Sequence, residues 1–472
     1  MRLAAAALLA CTFCCYAETT TLPAKYSAAA NRLIVAALAD NTGYQNLSYL
    51  TDRIGHRLSG SPSLEKAVDW SVAQMKAAGL SNVRKIPAKV PHWIRGRESA
   101  ELLSPAATPL HMIGIGMSVG TPPEGITANA VVVSSFDELA ALGVSVRGKI
   151  VVFNEPYESY GTTVAYRAFG ASRAAALGAV AVLVRSVTPL AMQQPHTGAL
   201  LYDEQQPKIP AACISIEDAL LLHRLQKAGA PLRIHLSMEA HLAPDAESAD
   251  VVGELPGSEH PEEVVVVGGH LDSWDVGQGA QDDGSGVMAS LQAVALIKKL
   301  GLRPRRTIRV VFWVNEENGS RGAAAYRAWI GDQIRNHVAA IEMDGGAERP
   351  TGFGYATFIP VRGQATKPPA RNADMQQSFA LCEQIGQLLK PIDAALVRPA
   401  GGGEDILPLT REGVPSFSPI NVNAHYFDWH HTVTDTLDKV DPQDFNRNIA
   451  VLAVWSYVLA DMPRRLSGLP PH

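Results

Sequence analysis

The chain has 472 residues, 47% of them hydrophobic and 18% charged, a balance that supports large buried cores and excludes a disordered polymer. A net charge of −5 gives no basic footprint, so nucleic acid is excluded as a partner. The length also exceeds one average domain.

The first residues, MRLAAAALLACTFCCYA (1–17), combine one arginine, an apolar run and small residues before Glu18. This composition predicts a secretory signal peptide cut after Ala17, hence a secreted or periplasmic protein. The tetrapeptide LLAC (8–11) offers an alternative in which Cys11 becomes a lipid anchor. No later run reaches the ~18 apolar residues of a membrane span. Only Cys213 and Cys382 follow the leader, and they are expected to be buried, unpaired thiols.

Residues from about 25 to 110 read as mostly helical. NRLIVAALA (31–39) and SLEKAVDWSVAQMKAAGL (63–80) place apolar residues at helical spacing, the second stopping at Gly79. Between 116 and 245 the character changes. The β-branched runs ANAVVV (128–133), GKIVVF (148–153), AVAVLVRS (179–186) and LRIHLSM (232–238) surround an alanine-rich helix, GASRAAALG (170–178). Histidines are scattered there rather than clustered, so this is expected to be an inserted module without chemistry of its own. From 246 to 472 strands and helices alternate, the pattern of a mostly parallel mixed sheet covered on both faces in an α/β fold. Its last helix is expected to start with Asp441 as N-cap and Pro442 at the first position.

Chemistry concentrates in this last region. VVVVGGHLDSWDVGQGAQDDGSG (264–286) reads as a buried strand delivering His270 and Asp272 to its end, with Asp282 before glycines and a helix. Residues two apart in extended chain face the same side, so Asp272 is placed to hold one ring nitrogen of His270 while the other ligates. Taken alone, such a step is a satisfied polar turn, and the acidic pair Asp282-Asp283 is an ordinary helix start. Glu316 and Glu317 follow the strand TIRVVFWVN (307–315), with side chains expected to point opposite ways. Asp344 follows AAIEM (339–343), with Glu342 as a rival, and His431 lies in HHTVTDT (430–436). Each feature has a bland reading in isolation. Four proposed strand ends each carrying a candidate ligand do not. Two imidazoles among carboxylates suit zinc or a similar divalent ion, and a glutamate that does not ligate is the general base that hydrolysis requires.

These residues resemble the zinc aminopeptidase/glutamate carboxypeptidase family with co-catalytic metals. GGHLDSWDVGQGAQDDGSG (268–286), GLRPRRTIRVVFWVNEENG (301–319) and AVWSYVLADM (453–462) carry the resemblance, which spans essentially the whole mature chain. It implies a three-layer zinc-peptidase fold split into 18–115 and 246–472, with a protease-associated domain inserted at 116–245. It further implies two zinc ions per subunit: His270 and Asp344 on one, Glu317 and His431 on the other, and Asp282 bridging. Glu316 would be the general base and Asp272 the orienter of His270. A peptide substrate and a homodimer are also implied. Two departures stand out. Relatives often carry Tyr before the final ligand histidine, where this chain has His430, so His430 or Tyr426 is the candidate donor to the oxyanion. The turn GGGEDI (401–406) keeps an acid at Asp405 but has Glu404 where relatives often have Ser or Thr, which bears on substrate choice. The expectation is therefore a secreted exopeptidase acting on dipeptides or short peptides with a free N-terminus. A single-zinc glutaminyl cyclase, another amidohydrolase, or a non-catalytic binding module on the same architecture are the alternatives.

Overall fold

The computed structural model describes residues 21–361, 364 and 371–470. The expected leader, including Cys11, lies outside the described residues. Two eight-stranded mixed sheets organise the molecule. In the first, the spatial order is Ser81–Ile94, His241–Leu255, Arg306–Trp313, His260–His270, His337–Glu342, Ser416–Asn421, Pro350–Ala356, Leu396–Ala400. The four strands from Arg306–Trp313 to Ser416–Asn421 run parallel, and antiparallel neighbours flank them on both sides.

The valine run at 264–267 explains why this sheet is buried on both faces. Val265 and Val267 join a core built with the helices Leu22–Leu38, Ser285–Lys299 and Pro442–Asp461. Val264 and Val266 point the other way, into a core with Trp313, Tyr326 and Ile406. Alternation by two thus feeds both layers from one apolar run. Asp441 caps the last helix, its carboxylate accepting the N–H groups of Gln443 and Asp444, and Pro442 occupies the first turn. Among the described residues, no helix is long and apolar enough to cross a membrane.

The second sheet runs Thr108–Leu110, Glu98–Ser104, Arg233–Met238, Ile126–Val133, Ile150–Phe153, Ala181–Arg185, Ala211–Ile214, Met112–Gly114. Its interior is built from residues such as Ile150, Val152, Leu183 and Leu236. Cys213 is buried in this unit and Cys382 in the first, and both are free thiols.

One expectation fails. Residues 81–110 are strands, not helix. In Ser81–Ile94, Ile86, Ala88 and Val90 are buried while Lys85, Pro87 and Lys89 are exposed, a period of two. The prolines at 87 and 91 also forbid a regular helix there. The strand pairs with His241–Leu255, so tertiary pairing decides its state.

Candidate metal centre

The four parallel strands bring their C-terminal ends to one place, and each delivers a polar group. His270 is the last residue of its strand, directly beside Trp313 on the neighbour. Glu316 and Glu317 come three and four residues after Trp313, Asp344 two after Glu342, and His430 and His431 after Ser416–Asn421. Tight backbone approach makes this possible. A Cβ on Gly286 would meet the Met343 carbonyl, and one on Gly269 would meet the Asp283 carboxylate. Asp283 accepts the N–H groups of His270 at 3.1 Å and Gly286 at 2.9 Å, tying the strand end to the helix start.

Asp282 sits between two imidazoles. Its Oδ1 lies 3.1 Å from Nε2 of His270, and its Oδ2 lies 3.1 Å from Nε2 of His431. Asp344 Oδ1 is 3.4 Å from the same His270 nitrogen, and Glu317 Oε2 is 3.0 Å from His431 Nε2. Ligand atoms of His270, Asp282 and Asp344 lie within 4.8 Å of one another, as do those of Asp282, His430 and His431. His430 therefore lies within reach of the same position as Asp282 and His431, its ring stacked on His431 with centroids 3.5 Å apart. It was expected only as an oxyanion donor.

The donor chemistry fits a pair of divalent cations. Both Nδ1 atoms face backbone carbonyls, that of Asp272 at 3.1 Å for His270 and that of Thr197 at 3.2 Å for His431. A ring that donates from Nδ1 presents a bare Nε2, the form a metal needs. Asp282 Oδ2 and Glu317 Oε1 are buried without a hydrogen-bond partner, which is costly unless a cation satisfies them. Burial opposes charge on His270, yet Asp344 and Asp282 outweigh it and raise its pKa well above the usual value. For Glu316, burial leads the upward shift, and the nearby acids Asp344, Glu317 and Glu404 add to it. Cations placed among these groups would invert that balance.

Two expected roles change. Asp272 orients His270 through its carbonyl; its carboxylate is 3.7 Å from the ring and accepts the N–H groups of Glu316 at 3.1 Å and Glu317 at 3.3 Å instead. Its Oδ atoms therefore fix the glutamate pair. Glu316 and Glu317 do not alternate as in a strand, because the chain leaves extended conformation at Asn315 (φ 68°), and both line the same cavity. Glu342, the rival to Asp344, instead accepts the N–H groups of Asp405 and Ile406. Asp405 is buried with both carboxylate oxygens unpartnered, next in sequence to Glu404, which lines the cavity. Tyr426 and His430 both line the cavity.

Sequence reasoning missed the residues that hold this array. The fully buried Arg57 donates to the carbonyls of Leu271 at 2.6 Å, Gly55 at 2.9 Å, Gln278 at 2.8 Å and Gly279 at 2.9 Å. Burial lowers its pKa to about 10, partly offset by Asp435 and Asp272. Asp435, four residues past His431, accepts the N–H groups of Ala280, Gln281 and Asp282 at 3.1, 2.7 and 3.2 Å. Its place in HHTVTDT was the available signal; Arg57 offered only a charge between Gly55 and Gly60.

Parallel strand ends here converge on paired imidazoles and carboxylates able to hold divalent cations. The sequence model of peptidase family M28 matches residues 250–456. Carboxypeptidase Q from Bos taurus is 43% identical over 434 residues, covering 92% of this chain and 88% of the relative. The Xenopus laevis enzyme of that name is 45% identical over 435 residues, covering 92% and 89%. The crystal structure of a peptidase M28 precursor from Shewanella amazonensis SB2B superposes with a TM-score of 0.87 at 33% identity, covering 95% of this chain and 99% of that one. A zinc aminopeptidase from Bacillus subtilis shares the fold, with a TM-score of 0.64 at 19% identity over 89% of this chain and 95% of that one. The chain belongs to peptidase family M28.

Proposed function

We propose that this chain is a secreted di-zinc exopeptidase that hydrolyses dipeptides or short peptides bearing a free N-terminus. The observation that carries the reading is Asp282, with one oxygen 3.1 Å from each of two imidazoles that belong to different parallel-strand ends. In it, His270 and Asp344 hold one cation, His431 and Glu317 the other, and Asp282 bridges. When bound, zinc supplies a Lewis acid for the scissile carbonyl and acidifies the attacking water. Glu316, held by the Asp272 carboxylate through its own N–H, takes the proton of that water and returns it to the leaving amine. His430 and Tyr426 line the cavity as the candidate hydrogen-bond donors to the developing oxyanion.

The cavity supports a small substrate. Its volume of about 770 Å³ falls in the ~300–1,000 Å³ range of small-molecule sites. Glu316, Asp344 and Glu404 give the cavity acidic lining suited to a free α-ammonium, while Met117, Phe169 and Leu200 add an apolar wall. That wall comes from the second unit, whose sheet also includes the strands between Glu98 and Gly114; the reading takes 116–245 within it as the inserted protease-associated domain. Export through the leader 1–17 and pairing of two copies belong to the same reading; N-terminal sequencing and sedimentation of the exported protein check both.

Zinc-loaded protein assayed on dipeptides with free and acetylated amino termini tests the function. Cleavage of the free forms alone is expected, with two zinc ions per chain. Equal cleavage of both forms refutes exopeptidase action at the N-terminus, and a single zinc at saturation returns the cyclase alternative.

A further inference from the structure

Among the described residues the second unit holds no cluster of candidate metal ligands, yet one of its side chains reaches the metal centre. Arg167 lies on the helix Tyr160–Ala175 and is only 3% exposed. Its Nη2 donates to the Tyr160 hydroxyl at 2.7 Å, and its Nη1 donates to the Thr197 carbonyl at 2.9 Å. That same carbonyl faces Nδ1 of His431 at 3.2 Å, and the Thr197 N–H donates back to the His431 carbonyl at 3.0 Å. Thr197 also lies in the second unit, where its hydroxyl donates to the Gly114 carbonyl at 2.8 Å. His431 needs this support because its backbone is left-handed, with φ at 62°, a conformation unfavourable for a residue with a side chain.

We infer that Arg167 is a positioning residue for the His431 arm of the metal centre, acting through the Thr197 carbonyl. The inference rests on the di-zinc reading above. Two arrangements of the ring compete. With Nδ1–H donating to Thr197, Nε2 is bare and faces Asp282 and Glu317. With the proton on Nε2, the ring could accept from Arg167, whose Nη1 is 3.4 Å from Nδ1, but it would aim a hydrogen at the cation position. Clamping the Thr197 carbonyl between the guanidinium and the ring selects the first arrangement. Gly198 is part of the clamp. Its φ is 134°, and a Cβ there would collide with the Arg167 guanidinium. The His270 arm has no such link, since its Nδ1 partner is the carbonyl of Asp272, two residues along its own chain.

The test is zinc binding to the metal-free full chain by chelator competition, with Co(II) absorption spectra reporting each site. Wild-type protein is expected to take two ions. Arg167→Met is expected to weaken one of them by about 10–100-fold, as loss of such outer partners does, and to change the cobalt spectrum of that site alone. Arg167→Lys, which can still donate to the carbonyl, is expected to recover part of the loss. Gly198→Ala keeps the charge but displaces the guanidinium, and should reproduce the selective weakening; it decides the matter if Arg167→Met does not fold. Unchanged binding in the folded variants overturns the inference, and so does equal weakening of both ions. A wild-type chain that binds fewer than two ions overturns the di-zinc reading instead.

Discussion

The two sheets have the same number of strands and opposite chemical content. In the first, the ends of four adjacent parallel strands carry His270, Glu316 with Glu317, Asp344 and His431. In the second, the parallel strands Ile126–Val133, Ile150–Phe153, Ala181–Arg185 and Ala211–Ile214 gather no comparable cluster among the described residues. That unit instead supplies a carbonyl, a guanidinium and an apolar wall. The difference teaches that ligands and the groups that aim them need not share a sheet. Parallel strands converge their ends at one edge and so concentrate charge there. Aiming a ring needs only a fixed acceptor, which any packed backbone can provide.

The largest expected effect comes from the chemical side of this contrast. Glu316→Gln is expected to lower kcat by ~10²–10⁴-fold while both metal ions stay bound, because the amide keeps the shape but cannot take a proton. Steady-state kinetics alongside metal analysis checks it, and near-normal turnover with full metal would assign the base elsewhere. The aiming side predicts a different signature. Leu183→Ala, in the core of the second sheet, is expected to cost ~2–5 kcal/mol through the cavity it leaves. Calorimetry should show that loss as a lower transition temperature. If metal binding tightens the second unit through Thr197 and His431, zinc should raise the transition of the variant as well as of the wild type.

The sequence displayed the ligand-bearing side because strand ends announce themselves. An apolar run followed by His, Asp or Glu and then glycine is visible locally, as at 264–286 and 307–319. The last helix was legible for the same reason, with its cap and first-turn proline in adjacent positions. The aiming groups act across long stretches of chain. Thr197 meets His431 through its backbone, so no feature of its side chain points to that contact. The strand Ser81–Ile94 carried local signals in its alternation and its prolines at 87 and 91; what was not legible is its pairing with His241–Leu255, beyond the whole second unit. Arg57 belongs with these silent residues. A lysine there keeps the charge but cannot spread donors over four carbonyls, so Arg57→Lys is expected to cost about 3 kcal/mol. Denaturant unfolding of the metal-free protein reads that cost, and an unchanged midpoint would show that the loop at 271–279 holds itself.

The smallest effect tests the same contrast within a single strand. His260–His270 ends in the metal centre, but its opposite end carries Glu263, which pairs with the buried Arg306 and lies 2.7 Å from Arg465. Burial alone would raise the Glu263 pKa, yet hydrogen bonds from Arg465 and Arg306 bring it from 4.5 down to about 2. A folded-state carboxyl more acidic than the free one contributes stability that is full above the free value. The contribution drains away as pH falls through the folded value, because the unfolded chain takes the proton first. Glu263→Gln removes the charge and is expected to cost about 2 kcal/mol near neutrality, with zinc content and kcat unchanged. The gap between variant and wild type should close between pH 4.5 and about 2. Urea midpoints of both proteins along a pH series measure it. A gap that stays constant into acid would mean that packing, not the Glu263 charge, joins this end of the strand to the C-terminal segment. A fall in zinc content would show that the two ends of the strand are not energetically separate.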